Sequence, residues 1–383
     1  MLKPEQRRLG IILGGGGARA AYQVGVIKAI AEILPHGSPL PFPVVSGTSA
    51  GAFNAAALAC FANNFHRSAA ALLQIWGNFE THHVFRSDII GVSKTGMKWL
   101  TAMMLGGLGR QNPVYLFDRA PLRRLIEKNM PLANIQRFID KGLLHAVTVS
   151  ASGYTSNESL AFFQGQSNID TWQRSNRRGV STKLNVDHLM ASSAIPLLFE
   201  AIKINREYFG DGSMRQLAPI SSALHLGANA VLVIGNRNAD ENHERKKTNH
   251  YPSLAEISGF ALDSIFLDSL EADIERLERI NNTISSVPEK HLNKGGVGLK
   301  KIDTVVITPS EDLGQIAHEY AHELPKTIQF LMRGIGAMSE DSSSSLMSYL
   351  LFEKGYTQHL IRLGVEDAME QKEEILELIG GSS

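Results

Sequence analysis

Apolar residues in this chain gather in two kinds of block. The first is short and continuous. Leu9–Leu13 is mostly apolar and ends in glycines, and Val44-Val45 opens a second such run that ends at Gly47. Runs of this length bounded by turn residues fit buried strands. The second kind is periodic. Over residues 18–33 the positions Ala21, Val24, Ile27, Ile30 and Ala31 recur at helical spacing, and the Ala-rich stretch 50–62 reads as a helix. Strand, glycine turn and helix thus follow one another twice within about sixty residues, the signature of an α/β fold with a parallel sheet.

The same reading places further strands at residues 144–150, 160–163, 201–204, 230–234 and 302–307. Residues 253–281 carry Leu262, Ile265, Phe266, Leu270, Ile274, Leu277 and Ile280 at a 3.6-residue period with charges between them, which predicts one long amphipathic helix. The expected architecture is a three-layer α/β/α sandwich with a mainly parallel central sheet and a helical C-terminal elaboration. Residues 1–235 form the core, with an apolar insertion at about 87–109. A polar loop follows at 236–252, and the helical region 253–383 returns one strand, 302–308, to the sheet. No internal repeat is present.

Composition narrows the function classes. Lysine plus arginine and aspartate plus glutamate both total 38, so net charge is zero and the basic excess of a nucleic-acid footprint is missing. With 43% hydrophobic and 20% charged residues, the chain reads as globular rather than disordered. The single cysteine, Cys60, cannot close an intrachain disulfide and reads as a small core residue. Lys3, Arg7 and Arg8 before the first apolar run resemble the start of a secretory signal, but Gly14 to Gly17 and Arg19 interrupt it. With no apolar run of spanning length, a cytoplasmic protein is expected.

Three sites carry candidate chemistry. Gly47-Thr48-Ser49-Ala50-Gly51 matches the G-x-S-x-G elbow and lies where that motif works, between a strand and a helix. The sharp turn exposes the serine hydroxyl, and the helix that follows directs its N-terminal dipole at the same point. Gly14-Gly15-Gly16-Gly17-Ala18-Arg19 ends the first strand, and consecutive glycines let backbone N–H groups converge on one anion, with Arg19 as a nearby cation. Gly15, Gly17 and Ala20 also fit a dinucleotide fingerprint, but the next strand ends without the acid that motif requires. A Walker A loop fails for want of Gly-Lys-[Ser/Thr]. Finally, Tyr208-Phe209-Gly210-Asp211-Gly212-Ser213 follows Ser192-Ser193-Ala194-Ile195-Pro196; alone, an aspartate between glycines reads as a turn.

In this order, GGGGAR at 14–19, GTSAG at 47–51, SSAIP at 192–196 and Asp-Gly at 211–212 resemble the patatin-like phospholipase family, over roughly residues 9–235. The resemblance implies a serine acyl hydrolase of the phospholipase A or lysophospholipase type. Ser49 would be its nucleophile and Asp211 its base. Gly15, Gly16 and Gly17, with Arg19, would form the oxyanion hole, and Gly47 and Gly51 would frame the elbow. No metal or organic cofactor is implied. Two departures are Ala20 and Ser213, where the family more often has glycine after the basic residue and glycine or alanine after Asp-Gly.

Rival readings remain open at this stage. An acyl-thioesterase or neutral-lipid esterase would use the same dyad. An α/β-hydrolase triad could recruit a histidine after Asp211, among them His225, His243, His250, His291, His318, His322 and His359. His318-Glu319-Tyr320-Ala321-His322 satisfies H-E-x-x-H, which on a helix would bind zinc with Glu319 as base and Glu340 or Asp341 as further ligand. The segment around Trp99 to Leu108 reads as a lid, a peripheral membrane contact through 97–108, or core, and a non-catalytic membrane-surface scaffold would rest on it alone. The expected partner is a lipid or acyl-ester substrate.

Overall fold

The computed structural model describes residues 7–86, 115–238, 251–287, 300–338 and 345–380. The insertion at 87–109, most of the polar loop, His243, His250, His291, Glu340 and Asp341 lie outside them. Among the described residues ten strands form one sheet: β1 Leu9–Leu13, β2 Val44–Thr48, β3 Ala146–Gly153, β4 Ser159–Gly165, β5 Trp172–Arg174, β6 Arg177–Ser181, β7 Ile202–Ile204, β8 Glu207–Asp211, β9 Ala230–Ile234 and β10 Asp303–Ile307. The main path runs β10-β9-β1-β2-β3-β4-β6-β5, and β8, which also carries β7, pairs with β3. From β10 to β3 every pairing is parallel; β4, β8 and β7 join antiparallel.

Alternation along the central strands builds two cores. Ile11, Leu13, Leu232 and Ile234 face the larger one, whereas Ile12, Val231 and Val233 face the other. A parallel sheet buried on both faces needs such continuous apolar strands, which is why these segments read as runs. Helices α1 Ala21–Ile33 and α2 Ala50–Cys60 contribute to the larger core. Ile220 and Ala223, together with Leu270 and Leu277, cover the smaller one. The fold is therefore the expected α/β sandwich with a mainly parallel sheet and a helical C-terminal region.

The long amphipathic helix forms, with a local change of pitch. It runs α-helical over Leu254–Asp263, as a π-helical turn over Ser264–Asp268 and α-helical again over Ser269–Ser285. Leu262, Phe266 and Leu267 pack in the larger core, whereas Leu270 and Leu277 pack in the smaller. The wider turn re-aims the apolar stripe between the two faces. β5, β6 and β8 escape the sequence reading because Trp172–Arg174, Arg177–Ser181 and Glu207–Asp211 carry little apolar alternation.

The C-terminal helix Lys354–Glu370 is fastened directly to α1. The Tyr22 hydroxyl donates to Asp367 Oδ2 at 2.8 Å, inside the protein. Gly25 lies so close to the facing helix that a Cβ there would run into the Ile361 carbonyl and the Gly364 backbone. Gly25→Ala is expected to cost about 1–3 kcal/mol of stability through overpacking, read as a lower melting temperature.

Candidate functional site

The two loops with candidate chemistry leave the carboxyl ends of neighbouring strands, the usual ligand edge of an open α/β sheet. β1 runs into Gly14 to Gly16, and β2 runs into Ser49 at the start of α2. Ser49 takes φ 52° and ψ −126°, a conformation that costs a non-glycine residue on the order of 1–3 kcal/mol. Its neighbours hold it there. The Ser49 N–H donates to Ser192 Oγ at 2.9 Å, and the Ser49 carbonyl accepts from the Ala52 N–H at 3.0 Å. Gly51 is required because a Cβ there would strike the Leu13 and Gly14 carbonyl oxygens.

Asp211 ends β8 and is wholly buried. The Ser49 Oγ–H donates to its Oδ2 at 2.6 Å, and the Ser213 N–H donates to its Oδ1 at 2.9 Å. The Asp211 N–H is itself held by the Ala194 carbonyl at 2.8 Å. Burial pushes the carboxyl up from 3.8 to about 6, opposed by hydrogen bonds from Ser49 and Ser213 and by the charge of Arg119. Sequence reasoning expected these two side chains to meet. It did not anticipate Arg119, which is buried and shares the wall of the adjoining cavity with Ser49 and Ser193.

The glycine loop is tethered by its carbonyls. Asn236 Nδ2 donates to the Gly15 carbonyl at 2.7 Å and Gln23 Nε2 to the Gly14 carbonyl at 2.9 Å. Gln23 Oε1 accepts from Asn54 Nδ2, and Asn54 Oδ1 accepts from Trp76 Nε1, both at 2.9 Å. None of the hydrogen bonds among the described residues uses the Gly15 or Gly16 N–H. Arg19 turns elsewhere: its Nε donates to Ser348 Oγ at 2.7 Å, its Nη2 lies 3.5 Å from Asp263, and its guanidinium covers the Tyr349 ring at 4.3 Å. The polar Gln23 and Asn54, each set in an otherwise small or apolar helical stretch, were the overlooked sequence signal.

A narrow apolar pocket opens beside Ser49. Phe53, Leu72, Trp76, Ile126, Phe199 and Phe352 contribute to its lining.

The rival arrangements find less support. Among the described residues no histidine hydrogen-bonds to Ser49 or Asp211; His225 stacks on Trp172, and His359 contacts the Tyr320 hydroxyl. The α-helix carrying His318 ends at Glu319, and a separate 3-10 turn begins at Ala321, so His318 and His322 do not share one continuous helix. His322 Nδ1 instead contacts the Glu319 carbonyl at 2.9 Å. No group of three or more His, Cys, Asp or Glu among the described residues could hold a metal. Cys60 is buried, and burial pushes its thiol up to about 12, which leaves it unreactive. No helix among the described residues is long and apolar enough to cross a membrane.

Fold and site thus define an α/β protein with a strand-end serine bonded to a buried carboxylate. The model of the patatin-like phospholipase family matches residues 11–224, more than half of the chain, and the protein belongs to that family. A 50-residue stretch is 52% identical to Lysophospholipase nte1 of Aspergillus terreus, and 47 residues are 51% identical to that of Aspergillus niger. These alignments cover 13% and 12% of this chain and only 3% of either fungal protein. Among solved structures, human GIVD cytosolic phospholipase A2 in complex with methyl gamma-linolenyl fluorophosphonate is 10% identical, with TM-score 0.42, covering 98% of this chain and 59% of that one. VipD from Legionella pneumophila is 11% identical, with TM-score 0.32, covering 97% and 67%.

A buried carboxyl whose folded pKa stands above its unfolded value favours the fold most when protonated. That contribution is complete below the ordinary carboxylate pKa and is lost as pH rises through about 6. Asp211→Asn is therefore expected to melt higher than the wild type at about pH 8, by the equivalent of about 2–3 kcal/mol. The advantage should shrink as pH falls below about 6, and thermal melts across pH would read it.

Proposed function

We propose that this protein is a serine acyl hydrolase that cleaves lipid acyl esters, of the phospholipase A or lysophospholipase type. The observation that carries the reading is the 2.6 Å hydrogen bond from Ser49 to the buried Asp211 beside an apolar cavity. Ser49 Oγ attacks the ester carbonyl carbon while its proton passes to Asp211 Oδ2. The Gly15, Gly16 and Gly17 N–H groups receive the developing oxyanion. Collapse expels the alcohol portion, which takes the proton from Asp211 and leaves acyl-Ser49. Asp211 then deprotonates a water that attacks the acyl carbonyl, and the same N–H groups stabilise the second oxyanion. The fatty acid leaves as Ser49 recovers its proton.

An ordinary carboxylate is a poor base for an alcohol, and each pKa unit of mismatch is about 1.36 kcal/mol. Raising Asp211 from 3.8 to about 6 removes roughly 3 kcal/mol of that gap without a histidine. The remainder falls to concerted proton transfer and to the glycine donors, each typically worth about 100- to 1000-fold in rate. The apolar cavity suits an acyl chain, which gains about 0.8 kcal/mol per buried methylene. Residues 1–235 would then act as the catalytic core, and the C-terminal region would brace it. Neutral-lipid and acyl-thioester substrates would use the same groups.

Three measurements test this reading. Ser49→Ala and Asp211→Asn should each lower ester hydrolysis by about 1000-fold or more, and intact mass after a fluorophosphonate probe should show one adduct that maps to Ser49. Wild-type kcat/KM should fall on the acid side with a midpoint near Asp211's value of about 6, because the base works only when ionised. Ile126→Trp should narrow the cavity and lower the ratio of palmitoyl to butyryl ester turnover by about tenfold or more.

A further inference from the structure

Arg119 is a buried cation to which the reaction above assigns no task. It precedes the helix Ala120–Asn129 and is 5% exposed. Its Nη1 donates to the carbonyls of Met190 and Ser193, each at 3.0 Å, and to Ser193 Oγ at 2.8 Å. Its Nη2 donates to the Glu200 carbonyl at 3.0 Å, and its Cζ lies over the Phe199 ring, 4.8 Å from the ring centre. No carboxylate among the described residues forms an ion pair with it, and its Nε has no hydrogen-bond partner there. Holding a charge so far from water is costly unless something nearby uses it.

The segment that Arg119 grips is the one that positions the reacting pair. Ser192 Oγ accepts the Ser49 N–H, and the Ala194 carbonyl accepts the Asp211 N–H. Arg119's acceptors on Met190, Ser193 and Glu200 flank those two points. We propose that Arg119 is a positioning residue: its guanidinium fork fixes the 190–200 segment that sets Ser49 against Asp211. This inference rests on the Ser49–Asp211 reading above. A lysine, with one compact ammonium, could supply the charge but not the fork across two backbone regions.

The surrounding charges permit this role. Asp211 is faced by Ser49, by Ser213 and by Arg119, whose charge favours its ionised form. Tyr154, after β3, is held neutral by burial and by Asp211 itself. Burial lowers Arg119 to about 10, Asp211 and Glu200 oppose that, and Arg123 adds to it. Arg123 is engaged by Asp187 at 2.6 Å, His188 bonds Asn185 and is kept neutral by burial, and Arg215 bonds the exposed Asn157. Arg119 is thus the cation that acts on the carboxylate.

The test is the pH profile of kcat/KM on a short soluble ester, with thermal melts to establish folding. Arg119→Met should lose about 10- to 100-fold at the alkaline plateau, and its deficit should widen at least about threefold further between about pH 8 and about pH 5. Arg119→Lys should lose plateau rate while keeping the wild-type acid limb. An acid limb in folded Arg119→Met that superimposes on the wild type, or wild-type plateau rates in both variants, would overturn the proposal. Should Arg119→Met not fold, Ser193→Ala decides: about a tenfold plateau loss supports the grip, and an unchanged rate overturns it. The underlying reading fails separately, through robust turnover by Ser49→Ala or Asp211→Asn.

Discussion

The site is organised around one carboxylate that is kept out of water without being neutralised outright. Asp211 accepts two hydrogen bonds, from Ser49 and from the Ser213 N–H, and forms no direct ion pair among the described residues. A direct arginine partner would hold a carboxylate low and make it a weaker base. Complete isolation would protonate it and leave no base at neutral pH. The observed compromise is burial with two donors and a cation that acts without a hydrogen bond, which leaves the carboxyl at about 6. On the proposed reading, that places a histidine's basicity on an aspartate.

The same constraint explains why the C-terminal region is fastened to the glycine loop. On the proposed reading the glycine loop would offer its N–H groups to an anion, and it must then be held by something other than those groups. Here Gln23 and Asn236 take the Gly14 and Gly15 carbonyls, while Arg19 is tied to Ser348, Asp263 and Tyr349. Asp263 closes that network by accepting from Ser345 Oγ and the Tyr349 hydroxyl, each at 2.6 Å. It stands immediately before the π-helical turn, so the change of pitch lies where the long helix meets the loop. Stability and site geometry share these contacts.

Much of this was legible in the chain because the relevant signals are local. Leu9–Leu13 and Ala230–Ile234 are buried on both faces and read as strands directly. The elbow announces itself because Gly47 and Gly51 lie only two positions to either side of Ser49. What stayed hidden depends on distant partners. Arg119 reaches residues 71 to 81 positions away, and nothing in Asp118-Arg119-Ala120 distinguishes it from a surface arginine before a helix. Arg19 was read as a cation at the anion site because its loop suggested one. Its partners Asp263, Ser348 and Tyr349 lie far along the chain, Ser348 329 positions away, beyond the reach of any local pattern. β8 was missed because its role is to deliver Asp211, and Glu207–Asp211 has too few apolar positions to advertise a strand.

Arg19 bears on how an oxyanion would be stabilised here. A guanidinium already bonded to Ser348, near Asp263 and stacked on Tyr349 would have to give up those partners to reach a new anion. Backbone N–H groups face no such cost, because their direction is fixed by the chain and they wait without competing acceptors. The more firmly Arg19 is held, the better the glycines before it keep that direction through a catalytic cycle. On this reading the cation serves the hole as an anchor, and the charge stabilisation itself comes from the peptide dipoles. The four consecutive glycines then have a physical purpose beyond a turn: they bring bare backbone up to the reacting carbonyl and leave the side chains to hold it there.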